Sequence, residues 1–147
     1  MRLNKSTRYA LYAAMEMSSR GRDEPVTAGE VADRYGIPSA VQSKVFQQLV
    51  HGGIAIGFRG SRGGYRLARR PSEVTVLEVI DAMDPNRALD GDLPSDERVD
   101  NGSRRGNERR LQELIAEVDE LARCTFASIT LETLVGTRRR GAGASGS

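Results

Sequence analysis

Two arginines in a glycine-rich turn and a lysine shortly before them are the residues best suited to binding an anion. Arg59 and Arg62 lie in the segment Arg-Gly-Ser-Arg-Gly-Gly at residues 59–64, and Lys44 precedes that segment. Guanidinium and ammonium groups bind phosphate oxygens, and three glycines allow a chain reversal that would expose both arginines. This pattern favours a binding surface for a polyanion such as DNA.

A helix must position Lys44. Residues 37–39 read Ile-Pro-Ser and are followed by apolar residues at helical spacing, so we predict a helix with Ser39 as its N-cap residue. Gly52 and Gly53 are expected to end this helix. The apolar stripe expected to face the core consists of Val41, Val45, Phe46, Leu49 and Val50, which leaves Ser43, Lys44, Gln47 and Gln48 largely outside it.

A two-stranded ribbon must position the two arginines. After the glycine pair the apolar spacing changes from near four to two, with Ile54, Ile56 and Phe58 before the turn and Tyr65 and Leu67 after it. Alternation of this kind around a glycine-rich turn indicates a β-hairpin. A helix fits the major groove of DNA, and an arginine on a narrow hairpin can enter the minor groove.

Each element alone is equally consistent with a surface helix or with a hairpin that has a solvated basic tip. The preceding segment favours the DNA-binding interpretation. Thr27 and Glu30 match a capping box, and the short helix that they begin ends at Gly36. A short helix, a glycine turn and a second helix form the helix-turn-helix pattern, and the ribbon that follows makes it a winged helix-turn-helix.

The flanking segments predict packing helices and a loop. Residues 5–19 predict a helix, in which Lys5 is more readily explained as a solvated side chain than as a phosphate contact. Thr75 and Glu78 repeat the capping-box pattern and predict a helix that ends near residue 84. Residues 86–107 predict a flexible acidic loop, whose carboxylates do not follow the spacing of a calcium loop.

A long helix is predicted to begin near Glu108. Its apolar residues step by three and four, as in a coiled-coil seam, and this favours dimerisation over packing on the chain's own small head. Ser128 is expected to cap a short closing helix, and the basic tail at 137–147 is expected to be disordered. The predicted dimerisation residues are Leu111, Leu114, Ile115, Val118 and Leu121.

The predicted fold class is mainly α with a small β-wing, a winged helix-turn-helix with a long C-terminal dimerisation helix. We expect a DNA-binding domain at residues 1–84, the acidic loop at 85–107, the dimerisation and closing helices at 108–136, and then the tail. Residues 1–70 carry 12 Lys or Arg and 5 Asp or Glu, whereas residues 71–147 carry 10 and 15. A polyanion would therefore be attracted to the first half of the chain and repelled by much of the second.

The sequence contains no constellation for catalysis, so we do not expect an enzyme. His51 is the only histidine, better explained as a polar cap, and Cys124 is the only cysteine. No GK[ST] follows the glycines of the turn, and no Cys/His set has zinc spacing. One cysteine permits no internal disulfide, and no signal peptide or membrane-length apolar run is present, so we expect a cytoplasmic protein without a membrane partner.

Four segments together resemble the IscR, NsrR and CymR family of bacterial transcription regulators. They are MRLNKSTRYALYAAM at the start, AGEVADRYGIP from residue 28, GFRGSRGGYRLAR from residue 57 and SEVTVLEVIDAMD from residue 72. The pattern RG-x-x-GGY-x-LAR is the most specific part. The resemblance covers residues 1–84 closely and extends through the long helix to about residue 135.

The resemblance implies a homodimer that binds a pseudopalindromic operator, with the long helices crossed between subunits. It implies that the first two turns of the second helix read bases and that the wing arginine enters the minor groove. In relatives, larger or acidic residues are frequent in this second helix, and Gln42 replaces a residue that is usually apolar. The resemblance therefore does not fix the operator sequence. The predicted DNA-binding residues are Ser39, Ala40, Ser43, Lys44, Gln47, Arg59, Gly60, Ser61 and Arg62.

The chain departs from many members of that family in the residues used for sensing. Those members hold an iron–sulfur cluster with three cysteines, but residues 86–107 of this chain contain no cysteine or histidine. Arg8 stands where some relatives supply a carboxylate to the cluster. We therefore predict no cofactor. Cys124 is a candidate redox residue, although a small, semi-buried structural residue is the favoured interpretation.

The sequence thus predicts a homodimeric, sequence-specific DNA-binding regulator that acts as a repressor. Its partners would be double-stranded DNA, a second copy of the chain, and a small-molecule or protein effector. One alternative is a protein-interaction module whose weakened helix face, at Ala40, Gln42 and Ser43, no longer reads DNA. Another is a regulator with an unusual set of iron–sulfur ligands.

Overall fold

A computed structural model describes residues 3–21, 23–83 and 102–136 of the chain. The described elements are α1 (Lys5–Ser19), α2 (Ala28–Tyr35), α3 (Ser39–His51), β1 (Ala55–Phe58), β2 (Gly64–Leu67), a 3-10 turn (Pro71–Glu73), α4 (Val76–Met83) and α5 (Gly102–Ser128), and residues 131–136 form a further short helix. None of the helices in the described part of the chain has the length and apolar character needed to cross a membrane.

Helix α1 forms one wall of the core. It spans the predicted residues, and Asn4 caps it by accepting a hydrogen bond from the backbone N–H of Thr7 at 2.8 Å. Small residues dominate its inner face, where Ala10, Ala13 and Ala14 are fully buried. Small side chains allow close approach of the neighbouring helices, so α1 packs against α3 and α4.

Helices α2 and α3 form the predicted helix-turn-helix. The capping box is present, because the backbone N–H of Glu30 donates to the Thr27 hydroxyl and the backbone N–H of Thr27 donates to the Glu30 carboxylate, each at 3.1 Å. Gly36 ends α2 in the left-handed conformation, at a φ of 65°. This conformation is costly for residues with a side chain, so glycine at this position sets the turn between the two helices.

The predicted start of α3 was wrong by one residue. Pro38 is the N-cap, and its carbonyl accepts hydrogen bonds from the backbone N–H groups of Val41 and Gln42 at 3.0 and 3.1 Å. Ser39 is the first helical residue, and no side chain caps this end. Proline can occupy this position because its fixed φ suits the residue that precedes a helix, and its missing N–H is not needed there.

The buried face of α3 also differs from the predicted stripe. Val41 and Val50 are 38% and 39% exposed, whereas Gln42 is fully buried. The core face consists of Gln42, Val45, Phe46 and Leu49. Residues spaced by three, one and three lie on a single side of a helix. Helix α3 is therefore rotated about its axis relative to the orientation that burial of Val41 and Val50 would require.

Strands β1 and β2 form the predicted antiparallel hairpin, with Ala55 opposite Leu67 and Phe58 opposite Gly64. Ala55 and Leu67 face the core, and Ile56 and Phe58 lie on the exposed face. A bridge between Val26 and Tyr65 ties the hairpin to the segment before α2 through two backbone hydrogen bonds of 2.7 and 2.8 Å. The hairpin is therefore held against the body close to its turn, at Tyr65, rather than hanging free.

The chain after α5 returns to the N-terminal body. Leu131 is fully buried, and its backbone N–H donates to the carbonyl of Val74 at 2.9 Å. The predicted cap at Ser128 was wrong, because Ser128 is the last residue of α5. Thr130 caps the short helix at residues 131–136 instead, accepting from the backbone N–H of Thr133 at 3.1 Å. Strand-like pairing of Thr75 with Thr130 delays the helix by two residues.

Helix α5 begins at Gly102, six residues before the predicted start. The two glycines and Asn107 in this segment argue against a helix, but its arginines have high helix propensity and helices propagate readily from a strongly helical neighbour. The capping box of Thr75 and Glu78 at the start of α4 is present as predicted. The predicted end of α4 near residue 84, the predicted loop up to residue 101 and the predicted disordered tail at 137–147 lie outside the described residues.

Candidate nucleic-acid interface

The side of α3 opposite the core is continuously exposed and, apart from Ala40, polar. Ala40, Lys44, Gln47 and His51 follow one another at intervals of four, three and four, and all four are exposed. This spacing places them along one line of the helix surface, away from the buried Phe46 and its neighbours. The helix therefore presents a long face that no other part of the described chain covers.

The two serines that the sequence predicted for this interface flank that line. Ser39 is exposed in the first turn, and Ser43 is half-buried one turn later. Gln42, counted as part of a weakened reading face, lies on the opposite side in the core. The exposed face thus offers two hydroxyl groups and one ammonium group in its first two turns.

Helix α3 is held by the core, by β2 and by α4, so the direction of its exposed face is fixed. Phe46 and Leu49 are fully buried, and the Phe46 ring stacks on Tyr65 of β2 with 4.5 Å between ring centroids. At its C-terminal end Gly52 touches α4 so closely that a methyl group added there would lie 2.7 Å from the Cβ of Ala82. Glycine at this position allows α3 and α4 to meet.

The tip of the wing carries the predicted arginines. Arg59, Gly60, Ser61 and Arg62 are all exposed. Gly60 has a φ of 109°, and its carbonyl accepts a hydrogen bond from the backbone N–H of Gly63 at 2.9 Å. This tight turn points both arginine-bearing residues into solvent at the end of a short, anchored ribbon.

The charges of the interface are available for a ligand. Within residues 3–21, 23–83 and 102–136, none of the ion pairs involves Lys44, Arg59 or Arg62. Five arginines on other surfaces have carboxylate partners: Arg20, Arg34, Arg69, Arg109 and Arg123. Unpaired cations on an exposed face create the positive potential that attracts a polyanion.

Two features of this region were not predicted from the sequence. The exposed Val41 adds an apolar surface at the start of α3. Arg66 lies across β1, with its guanidinium carbon 4.9 Å from the centre of the Phe58 ring, and shields part of the outer face of the wing. The pairing of Ile56 with Arg66 could have revealed this contact, because Phe58 is a diagonal neighbour of Arg66 on the same face.

The predicted seam residues project from α5 into solvent in the single chain. Leu114 is 55% exposed and Leu121 is 68% exposed. The far end of the helix is fixed to the body, because Arg123 donates to both carboxylate oxygens of Asp81 at 3.1 and 3.2 Å. Exposed apolar residues repeated along a helix are typical of an uncovered interface. Of the other predicted seam residues, Leu111 and Val118 are exposed and Ile115 is half-buried.

The described residues do not offer the ligand set of an iron–sulfur cluster. The described residues contain no group of three or more His, Cys, Asp or Glu that could hold a metal ion. The only thiol, Cys124, lies on α5, and the only imidazole, His51, lies at the end of α3. Clusters are ligated by several thiolates or by a Cys/His set. Cys124 is exposed, so its favoured interpretation as a semi-buried residue was wrong.

Comparison with known protein families identifies the chain's relatives. A family model named Rrf2, described as an iron-dependent transcriptional regulator, matches residues 3–137. The chain belongs to the Rrf2 family. It is therefore a transcriptional regulator, and the family and its relatives are described as regulators rather than as enzymes. The predicted family resemblance is confirmed.

Two curated relatives illustrate the range of similarity within the Rrf2 family. A protein of Rhodopseudomonas palustris named BadM, whose name places it among HTH-type transcriptional regulators, is 35% identical over 144 residues, covering 95% of this chain and 86% of that protein. The HTH-type transcriptional regulator IscR of Aliivibrio salmonicida is 33% identical over 84 residues. That match covers 57% of this chain and only 50% of IscR.

Solved structures of Rrf2 proteins have the same fold. CymR, described as the global cysteine regulator of B. subtilis, superposes with a TM-score of 0.72 at 19% identity, covering 93% of this chain and 98% of that one. IscR of T. potens superposes with a TM-score of 0.63 at 21% identity, covering 94% and 88%. The predicted fold class, a winged helix-turn-helix with a long C-terminal helix, is confirmed.

Proposed function

We propose that this Rrf2 protein is a sequence-specific DNA-binding repressor that acts as a homodimer on a pseudopalindromic operator. The observation that carries the proposal is the exposed face of α3, where Lys44 stands without a carboxylate partner among the described residues. A helix held by its opposite face and bearing polar groups on its free face is suited to the major groove.

The wing supports the same function. Arg59 and Arg62 lie at the tip of a ribbon that is bonded to Val26 through Tyr65, close to the turn. A narrow ribbon of this kind can place one guanidinium in the minor groove, where a narrow groove concentrates negative potential, while the second contacts the phosphate backbone. The remaining proposed contacts are Ser39, Ala40, Ser43, Gln47, Gly60 and Ser61, all exposed except the half-buried Ser43.

The exposed seam of α5 supports a homodimer. Its apolar residues would be covered by the same seam of a second copy, and a two-fold axis between two recognition helices matches an operator with two-fold symmetry. Pairing two heads also multiplies their DNA affinity, because binding of the second head becomes intramolecular. A repressor needs only this bound state, since occupation of a promoter excludes the polymerase.

We also propose that regulation proceeds without a thiolate-ligated cluster. The chain has one cysteine and one histidine, on different helices, and the described residues offer no metal-binding group. The signal would instead be a small-molecule or protein effector. The protein-interaction alternative loses one of its supports, because Gln42, taken as evidence of a weakened face, is a core residue.

Selection from a random duplex library, followed by band-shift titration at fixed salt, tests the proposal. We expect one enriched motif with two inverted half-sites, bound at nanomolar to subnanomolar affinity, in the range of about 10⁻⁸ to 10⁻¹¹ M. A transcription assay with that motif between promoter and reporter should give lower transcript when the protein is added. Absence of any enriched motif, or equal binding to scrambled duplexes, would overturn the proposal.

A further inference from the structure

Val41 and Ala40 form a small apolar surface in the first turn of α3. Val41 is 38% exposed, and Ala40 next to it is exposed as well. Single exposed apolar side chains are common on protein surfaces and need no function. The place of this pair distinguishes it, because the first residues of a recognition helix are those that reach the base edges.

The polar groups beside this surface are few. Ser39 and Ser43 supply short hydroxyl groups that can pair with any base edge, and Lys44 is the only long, exposed polar side chain within residues 39–45. Gln42, the other long polar side chain of this stretch, is buried. Hydrogen bonds from these turns therefore leave part of the contacted base sequence unspecified, and the apolar pair is placed where it can meet a base edge.

Among the four standard bases only thymine presents a methyl group in the major groove. The C5-methyl of thymine projects there, and small apolar side chains such as that of alanine contact it. Ala40 adds no bulk that would hold the helix away from the bases, and the two methyl groups of Val41 enlarge the exposed apolar surface beside it. We propose that Ala40 and Val41 recognise the C5-methyl group of a thymine in each half-site of the operator.

This inference rests on the proposed function and adds the identity of one base and of one further specificity residue. Deoxyuridine provides the sharpest test, because replacing thymine with deoxyuridine removes the methyl group alone and leaves pairing intact. Each thymine of the selected half-site is replaced in turn, and affinity is measured by band-shift titration. At one position we expect a loss of about fourfold, the factor that corresponds to burial of one methyl-sized group.

Two protein variants then locate the partner of that methyl group. Val41→Ala should weaken binding to the thymine duplex and show a smaller deoxyuridine penalty than the wild type, because the part of the contact made by the Val41 methyl groups has been removed. Val50→Ala is the matched control, since Val50 lies on the same helix at 39% exposure but in its last turn. It should retain the full deoxyuridine penalty.

The outcomes separate this inference from the proposed function. If the protein selects an operator but every deoxyuridine duplex binds as tightly as its parent, the inference is wrong and the proposed function stands. It is also wrong if the half-site contains no thymine, or if Val41→Ala retains the full deoxyuridine penalty. If no duplex is selected at all, the proposed function is wrong and the inference falls with it.

Discussion

Glu16 of α1 and Arg34 of α2 form a salt bridge in which the Nη1 atom of Arg34 lies 2.8 Å from both carboxylate oxygens of Glu16. The Tyr35 hydroxyl donates a third hydrogen bond to the same carboxylate at 2.9 Å. The Glu16 side chain is only 8% exposed, whereas that of Arg34 is 61% exposed. The bridge thus ties the first helix of the helix-turn-helix to α1 through an acid that lies in the protein interior.

The surroundings of the Glu16 carboxylate predict how the stability of the fold depends on pH. Burial raises the pKa of Glu16, but the hydrogen bonds from Arg34 and Tyr35 outweigh burial, so the pKa lies below its usual value. Because the folded pKa is depressed, the stabilisation is fully present above about pH 4.5, near the unfolded value, and is lost as pH falls through the folded pKa. Urea unfolding between pH 3 and 7 should show this loss in the wild type.

Glu16→Gln removes the titrating group, so the unfolding free energy of this variant should fall less steeply below about pH 4.5. At pH 7 the variant should be less stable by about 1–3 kcal/mol, because a charged hydrogen bond is lost. Glu113→Gln is the control, since Glu113 pairs with Arg109 at the surface and should change stability by at most about 0.5 kcal/mol. Equal acid sensitivity of Glu16→Gln and the wild type would contradict the account.

Gln42 is predicted to destabilise the core. Its side chain is fully buried, and its Oε1 atom has no hydrogen-bond partner among the described residues. Its Nε2 atom makes one long hydrogen bond to the carbonyl of Tyr9, at 3.5 Å. An unpaired buried polar atom costs about 1–3 kcal/mol, and methionine has a similar shape without that atom.

Gln42→Met should therefore raise the unfolding free energy by about 1–2 kcal/mol in urea titrations. Its operator affinity should stay within a factor of about two, because residue 42 does not lie on the exposed face of α3. Gln48→Met, at an exposed position of the same helix, should change stability by less than about 0.5 kcal/mol. Destabilisation by Gln42→Met would mean that the amide is paired in solution.

The sequence predicts those parts of the fold that depend on local interactions. Both capping boxes, the end of α2 at Gly36 and the extent of α1 depend on residues within a few positions of one another. The buried face of α3 could not be predicted in this way, because Val41 and Gln42 differ by one residue and their polarity favours the opposite orientation. Packing against α1 and β2 decides that rotation, and it involves residues distant in sequence.

The same distinction between local and long-range interactions applies to the candidate interface. The exposure of Arg59 to Arg62 could be predicted, since a glycine-rich turn must lie at the surface. The apolar contribution of Val41 could not, because a valine at helical spacing with Val45 is read as a core residue. The cap at Thr130 was missed for a related reason, since the pairing of Thr75 with Thr130 joins segments far apart in the chain.

The two wing arginines are predicted to differ in their effect on DNA binding. Arg59→Ala should weaken operator binding by about 1–3 kcal/mol and relax base preference beside the half-site, as expected for a groove contact. Arg62→Ala should weaken all duplexes similarly and reduce the slope of log K against log salt by about one, as expected for a phosphate contact. Titrations of operator and scrambled duplexes at several salt concentrations measure both effects.

Arg109→Ala is the matched control for the wing variants, because Arg109 is exposed on α5 and paired with Glu113. It should leave both affinity and salt slope unchanged. If Arg109→Ala weakens binding as much as either wing variant, the loss reflects the net charge of the protein rather than a contact at the wing.

The exposed seam of α5 is predicted to hold the dimer together. Leu114→Glu would place two carboxylates in an apolar interface around a two-fold axis, where they lack partners and repel each other. The dimer dissociation constant should rise about a hundredfold or more, equivalent to about 3 kcal/mol. Sedimentation velocity over a range of protein concentrations measures this shift directly.

Gln112→Glu is the control, because it adds the same charge two residues away at an exposed position outside the seam, and it should remain dimeric. The Leu114→Glu variant should keep the circular dichroism spectrum of the wild type, since Leu114 is already exposed in the single chain. It should bind a single half-site about as well as a wild-type head does, but lose the gain that a full operator gives the dimer. A Leu114→Glu protein that stays dimeric, or that still prefers the full operator, would place the dimer interface elsewhere on the molecule.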